Sequence, residues 1–226
     1  MKILFSLFFA LFMVVTAAAM ETPQSSKNCH CFQERAFNQQ KKFAADTYLL
    51  ATSFNSFISA NFHVSKSQIV MMKMKGGVHP DDLLIGLYVG RAGKVDVKGL
   101  LAILQNGGTW KQILESGSVQ RSADTEKIFQ SIAAAGDDKT EAVEAVTDQL
   151  LEEFFGVSAT DIVTFRKEGA TGREITLVLL LERYGKPQTT ALDILKMYTR
   201  KHMSWGEIAH FFGLTPKETG KLINKE

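Results

Sequence analysis

Six times along this chain a Ser or Thr stands three residues ahead of a Glu, Gln or Asp, at the head of an apolar or amphipathic run. Strict versions are Ser65-x-x-Gln68, Thr109-x-x-Gln112, Ser204-x-x-Glu207 and Thr215-x-x-Glu218; Asp versions are Ser158-x-x-Asp161 and Thr190-x-x-Asp193. In such a box the hydroxyl accepts from a free backbone N–H of the first helical turn, and the third residue reaches back to the cap's own N–H. One match carries little; six in one chain specify a string of short capped helices. The stops agree. Gly76, Gly169, Gly185 and Gly213 follow helical patterns, where glycine adopts a left-handed conformation without steric cost. Pro80 and Pro216 sit where a first turn tolerates a missing N–H. Apolar residues recur at helical spacing, as in Val143, Val146, Leu150 and Phe154. The fold class is therefore all-α. Helices are predicted near 43–62, 66–75, 80–90, 97–106, 109–116, 122–135, 139–155, 159–168, 173–184, 190–201, 204–212 and 216–225.

The two halves resemble each other. A shift of 93 residues pairs Phe62 with Phe155, Val64-Ser65 with Val157-Ser158, Ile69-Val70 with Ile162-Val163, Gly76 with Gly169 and Leu84-Ile85 with Leu177-Val178. Two extra residues then bring Thr109-Trp110 onto Ser204-Trp205. Matched caps, glycines and core positions at a nearly constant offset predict an internal duplication. The expected organisation is a signal peptide at 1–19, an extension at 20–42, a first helical module at 43–120, a connection at 121–138 and a second module at 139–226. Each module would hold five to six short helices. The third helix of each, Leu83 to Val89 and Ile175 to Leu181, is apolar nearly all round and is expected at the module's centre. A shorter pattern also recurs: Phe155-Gly156-Val157-Ser158, Phe212-Gly213-Leu214-Thr215 and, with His in place of Gly, Phe62-His63-Val64-Ser65. It reads as a bend joining one helix to the next cap.

The first residues carry one positive charge, Lys2, then the apolar run Ile3 to Val15, then Thr16 to Ala19. Ala17 and Ala19 satisfy the small-x-small rule, which predicts Sec-type export with cleavage after Ala19 and a periplasmic or secreted location. The rival reading is an uncleaved anchor helix; the run is near the lower limit for a span and ends in a cleavage-type sequence. After Ala19, 207 residues remain, with 25 Lys plus Arg against 24 Asp plus Glu. That balance provides no strong field for nucleic acid or acidic lipid, and no later apolar run is long enough to span a membrane.

Cys29-His30-Cys31 is the one chemically distinctive cluster. Oxidation outside the cytosol would close a tight Cys29–Cys31 disulfide or cross-link two chains. Alternatively Cys29, His30 and Cys31 supply ligands to Zn or Cu, with further ligands needed from elsewhere because adjacent residues rarely surround one ion. His63, His79, His202 and His210 are scattered and read as surface or helix-end residues. Trp110 and Trp205 follow caps in the two halves; they anchor a helix to its core or, alternatively, form an interaction platform. The segment from Trp205 to Lys225 resembles a helix-turn-helix, but export, near-neutral charge and Thr219 at a position usually aliphatic argue against DNA. Glu115-Ser116 is similar to the Glu-Ser of lytic transglycosylases, without the Gly-Leu-Met-Gln segment that accompanies it there.

The segment Cys29-His30-Cys31-Phe32-x-x-Arg35-x-Phe37, followed by the duplicated helices, resembles a family of exported bacterial helical proteins. That family has no assigned activity, so the resemblance implies fold and compartment and no site residues. Three functions stay open on the sequence. The first is a non-enzymatic binding or structural protein of the cell envelope with a protein or envelope partner. The second is a redox or metal-handling protein using Cys29, His30 and Cys31. The third is an envelope-polymer hydrolase.

Overall fold

The computed structural model describes residue 32 and residues 34–184 and 189–225. Among them are twelve α-helices and no strand, so the chain is all-α. In order they are α1 (Asp46–Phe62), α2 (Lys66–Met74), α3 (Pro80–Gly93), α4 (Val97–Gln105), α5 (Trp110–Glu115), α6 (Ala123–Ala134), α7 (Thr140–Phe155), α8 (Ala159–Lys167), α9 (Gly172–Tyr184), α10 (Ala191–Thr199), α11 (Trp205–Phe211) and α12 (Pro216–Thr219). Short 3-10 turns stand at Gln39–Lys41 and Leu222–Lys225.

Every predicted box caps a helix, but the two kinds do it differently. Ser65, Thr109, Ser204 and Thr215 accept from the N–H three residues on, and Gln68, Gln112, Glu207 and Glu218 accept from the caps' own N–H groups at 2.8–3.0 Å. In the Asp versions the carboxylate instead accepts from the cap hydroxyl, Ser158 Oγ and Thr190 Oγ1, each at 2.7 Å. Asp is one methylene too short to reach the backbone. A seventh cap, Thr171 with Glu174, opens α9.

The three Phe-x-Val/Leu bends share one geometry. His63, Gly156 and Gly213 all have positive φ, at 53°, 70° and 75°. The backbone N–H of Val64 and Leu214 reaches back to the carbonyls of Ser59 and Ala209, closing the helix end. After α2 the left-handed residue is Gly77; at Gly76 glycine is required for another reason, since a Cβ would lie 2.6 Å from the Met72 carbonyl oxygen. Gly185 lies outside the described residues. The last predicted helix, 216–225, stops after one turn. Gly220 explains this: its carbonyl is taken by Ser56 Oγ and Lys66 Nζ of the first half, and its backbone presses on Thr52.

The centre of the molecule is α3 and α9. Residues Leu83 to Gly90 and Glu174 to Leu181 are buried without interruption, as all-round apolar helices require. Each is enclosed from both halves. α1 packs along α9 and touches α11 and α12, while α7 packs on α3 and α6. Within each half the neighbours correspond: α3 on α4 and α9 on α10, α4 on α5 and α10 on α11, α5 on α6 and α11 on α12. α1 thus lies against helices late in the chain, and α7 lies against α3 and α6 before it and α9 after it. Buried apolar residues from both halves form one cluster. Phe57 of α1 meets Phe154 and Phe155 at the end of α7, with centroids 5.6 and 5.8 Å away.

The flanks of α3 and α9 differ. Gly86, Gly90 and Gly93 let neighbours approach α3 closely: a Cβ at Gly90 would stand 2.4 Å from Val97 Cγ2 and 3.2 Å from the Val95 carbonyl oxygen. α9 carries Leu179 and Arg183 one 93-residue shift from Gly86 and Gly90. Gly90→Ala is therefore expected to lower stability by about 1–2 kcal/mol in urea unfolding, the overpacking cost exceeding the helix-propensity gain. A neutral or stabilising result would show that the α3–α4 approach is not tight.

Candidate functional site

Between the halves lies a cavity of about 380 Å³ whose lining includes Phe54 and Ile58 of α1, Lys73 of α2, Asp81 and Leu84 of α3, Val143 and Glu144 of α7, Arg166 of α8, and Gly172 and Arg173 of α9. Three helices, α3, α7 and α9, begin at it, through Pro80, Thr140 and Gly172. Each start is capped: His79 Nδ1 accepts from the Asp81 N–H, Asp138 from the Thr140 N–H and Thr171 Oγ1 from the Glu174 N–H.

Three cations line this space. Lys73 is buried, 9% exposed, and its ammonium donates to Asn55 Oδ1 at 3.0 Å. Among the described residues it has no carboxylate within ion-pair distance. Burial lowers its pKa to about 8, the Arg173 charge pushes the same way, and Asp81 opposes them. At pH 7 a pKa near 8 still leaves roughly nine in ten of these groups protonated, so Lys73 acts as a cation rather than a free amine. The Arg173 guanidinium lies over the Phe54 ring, 5.7 Å from its centroid, with no carboxylate in ion-pair range among the described residues. Arg166 is better satisfied. It bonds Asp148 at 2.6 Å and Glu144 at 3.2 Å, though its Nε is buried without a partner. Asp81 is 3.5 Å from His79 Nδ1, at the exposed start of α3.

The lining includes residues that the 93-residue shift brings together. The 93-residue shift pairs Phe54 with Thr147, Lys73 with Arg166 and Pro80 with Arg173, and all six line the cavity. It also pairs Asn55 with Asp148; Lys73 of α2 bonds Asn55 of α1, and Arg166 of α8 bonds Asp148 of α7. One link is neutral at its acceptor and the other is a full ion pair.

Both tryptophans are buried. Trp110 donates from Nε1 to Asp82 Oδ1 at 2.8 Å, and Lys139 stands 3.6 Å from the same oxygen. Trp205 is fully enclosed, stacks on Tyr198 with centroids 4.4 Å apart, and has an Nε1 without an acceptor among the described residues. Its backbone N–H and that of Gly206 are bonded by Asp46 at the start of α1, whose pKa burial raises despite those bonds. Each tryptophan thus fastens a helix into the core. Trp110 also edges a second cavity, of about 560 Å³, with Asp82, Lys111 and Lys139. Cys29, His30 and Cys31 lie outside the described residues. Among the described residues, no three His, Cys, Asp or Glu side chains converge on a point fit for a metal, and no helix is long and apolar enough to cross a membrane. A more apolar groove of about 640 Å³, with Phe62, Met71, Met72, Leu87, Val95 and Val97 among its walls, runs between α1, α2, α3 and the start of α4.

No family profile, curated protein or solved structure matches this chain.

Motif reading passes over Lys73, Arg166 and Arg173, because isolated cations on helices form no spacing signature. The shift that pairs Lys73 with Arg166 and Asn55 with Asp148 is the signal that finds them. The buried ammonium has a measurable signature. Its folded pKa lies below its unfolded value, so the native state sheds this proton first and stability gains as pH rises from about 8 towards 10.5. Lys73→Met, which removes the charge, is expected to exceed the native chain in stability at pH 7 by up to roughly 3 kcal/mol, less the cost of leaving Asn55 unpaired. The gap should close as pH approaches 10.5 in denaturant titrations. A gap independent of pH would show that Lys73 is well solvated.

Proposed function

We propose that this chain is an exported, internally duplicated helical protein of the periplasm or exterior, and that it binds a small ligand in the cavity between its halves without transforming it. The observation that carries this reading is the cavity itself, lined by corresponding positions of both halves and faced by three helix N-termini. Its volume falls within the range of ligand pockets, roughly 300–1,000 Å³. The mirrored packing of α1 on α9 and α7 on α3 supports the duplication, as do the matched caps Ser65 and Ser158. Export is supported by the apolar run Ile3 to Val15 and the small residues before Met20.

Three measurements test this. Amino-terminal sequencing of protein recovered outside the cytosol is expected to begin at Met20; an intact leader on protein that stays inside the cell removes the export reading. Intact-mass analysis of the same sample is expected to be two hydrogens lighter than the reduced form, from a Cys29–Cys31 disulfide. Native mass spectrometry of the purified chain is expected to show a bound small molecule that Val143→Trp, filling the cavity from a half-buried position, displaces. A ligand retained by this variant would place binding elsewhere.

A further inference from the structure

Accepting the cavity as the binding site, we propose that its ligand is a small organic oxyanion, bearing a phosphate or carboxylate group, whose charged oxygens are held by Lys73 and Arg173 with Arg166 beside them. The argument is one of unmet charge. A buried ammonium is ordinarily paired with a carboxylate, because desolvation costs several kcal/mol that a neutral acceptor offsets only in part. Lys73 has only Asn55, at 3.0 Å, and the positive Arg173 is near enough to oppose its charge. An oxyanion between them would satisfy both. The equivalent cation in the other half, Arg166, shows the satisfied state: Asp148 supplies the carboxylate that Asn55 does not.

The two cations without a carboxylate partner, Lys73 and Arg173, set the ligand's sign. Glu144 is engaged by Arg166, and Asp81 stands at the cavity with His79 beside it. Lys73, Arg173 and Arg166 are matched in number by Asp81, Glu144 and Asp148, so no net positive charge remains; the demand is local, at Lys73 and Arg173, which have no carboxylate in ion-pair range among the described residues. Among the described residues no charged side chain other than Lys73, Asp81, Glu144, Arg166 and Arg173 lines the space: α1 contributes Phe54 and Ile58, and α7 only Glu144 as an ion. A ligand of one to two negative charges fits; a cation meets Lys73 and Arg173 and is rejected. Phe54, Ile58, Leu84 and Val143 form an apolar wall for the rest of the molecule, and 380 Å³ has no room for a polymer.

The test is calorimetric titration of the full exported chain with inorganic phosphate, phenyl phosphate, citrate and benzoate at constant ionic strength, with benzylammonium as the cationic control. Saturable binding of at least one oxyanion is expected, and whether phosphates or carboxylates bind separates the two ligand chemistries. Affinity should fall at least tenfold in Lys73→Met and in Arg173→Met. It should stay unchanged in Lys66→Met, whose half-buried ammonium bonds Ser56 and Gly220 away from the cavity. Binding should also weaken as pH rises from 7 to 9, because the free Lys73 ammonium loses its proton near pH 8. Lys73→Met deletes a buried charge, so loss of binding there is not loss of folding, and a thermal melt of each variant verifies it. No saturable oxyanion binding, benzylammonium binding as well as the oxyanions, or unchanged affinity in both cavity variants overturns the proposal. Should native mass spectrometry find a neutral or cationic molecule displaced by Val143→Trp, the cavity remains a binding site and only its anion preference fails.

Discussion

Everything in this fold follows from burying two helices on all sides. α3 and α9 carry apolar residues around their whole circumference, and a helix of that kind needs more cover than one neighbour provides. Burial of each Leu, Ile or Val is worth about 1.5–3 kcal/mol at most, so the unbroken stretches Leu83–Gly90 and Glu174–Leu181 supply a large part of the driving force. Their own halves cover one side through α4 and α10; the first helix of the opposite half covers another. The interlocking of the halves is the geometric answer to that demand. The short helices around them are punctuated by caps and left-handed residues, which set where the chain turns but contribute less energy individually.

Much of this was legible in the amino-acid order. Ser65, Thr109, Ser204 and Thr215 start helices where their partners three residues on say they should, and His63 adopts the same left-handed bend as Gly156 and Gly213. Local chemistry decides those features, so local sequence reports them. Where distant contacts decide, the sequence reading misses. The helix expected over 216–225 gives way after one turn because Ser56 and Lys66, more than 150 residues upstream, claim the Gly220 carbonyl. The packing of α1 on α9 and of α7 on α3 is equally invisible, since helical periodicity says which face is apolar and nothing about which partner covers it.

The candidate site was hidden for the same reason. Lys73, Arg166 and Arg173 come from three helices and meet only in the folded molecule. Cys29, His30 and Cys31 drew attention because they are contiguous, and contiguity is what a motif search rewards. The cavity shows a different logic: α8 sends a cation to a carboxylate on α7, at Asp148, and α2 sends one to an amide on α1, at Asn55. A single change of acceptor turns a closed structural link into an open electrostatic demand. Phe54, Ile58, Leu84 and Val143 supply the apolar part of the lining beside these cations, and burial of Lys73 itself is what makes its charge costly.

The placement of α1 has a consequence for how this chain comes into being. Its main cover, α9 with α11 and α12, is synthesised more than a hundred residues after it. As the chain emerges from the ribosome, α1 has its apolar face ready and its principal neighbour still unmade. Long loops must close before that contact forms, which slows collapse into the final shape. Docking of α1 onto its final cover therefore waits on the carboxy-terminal helices.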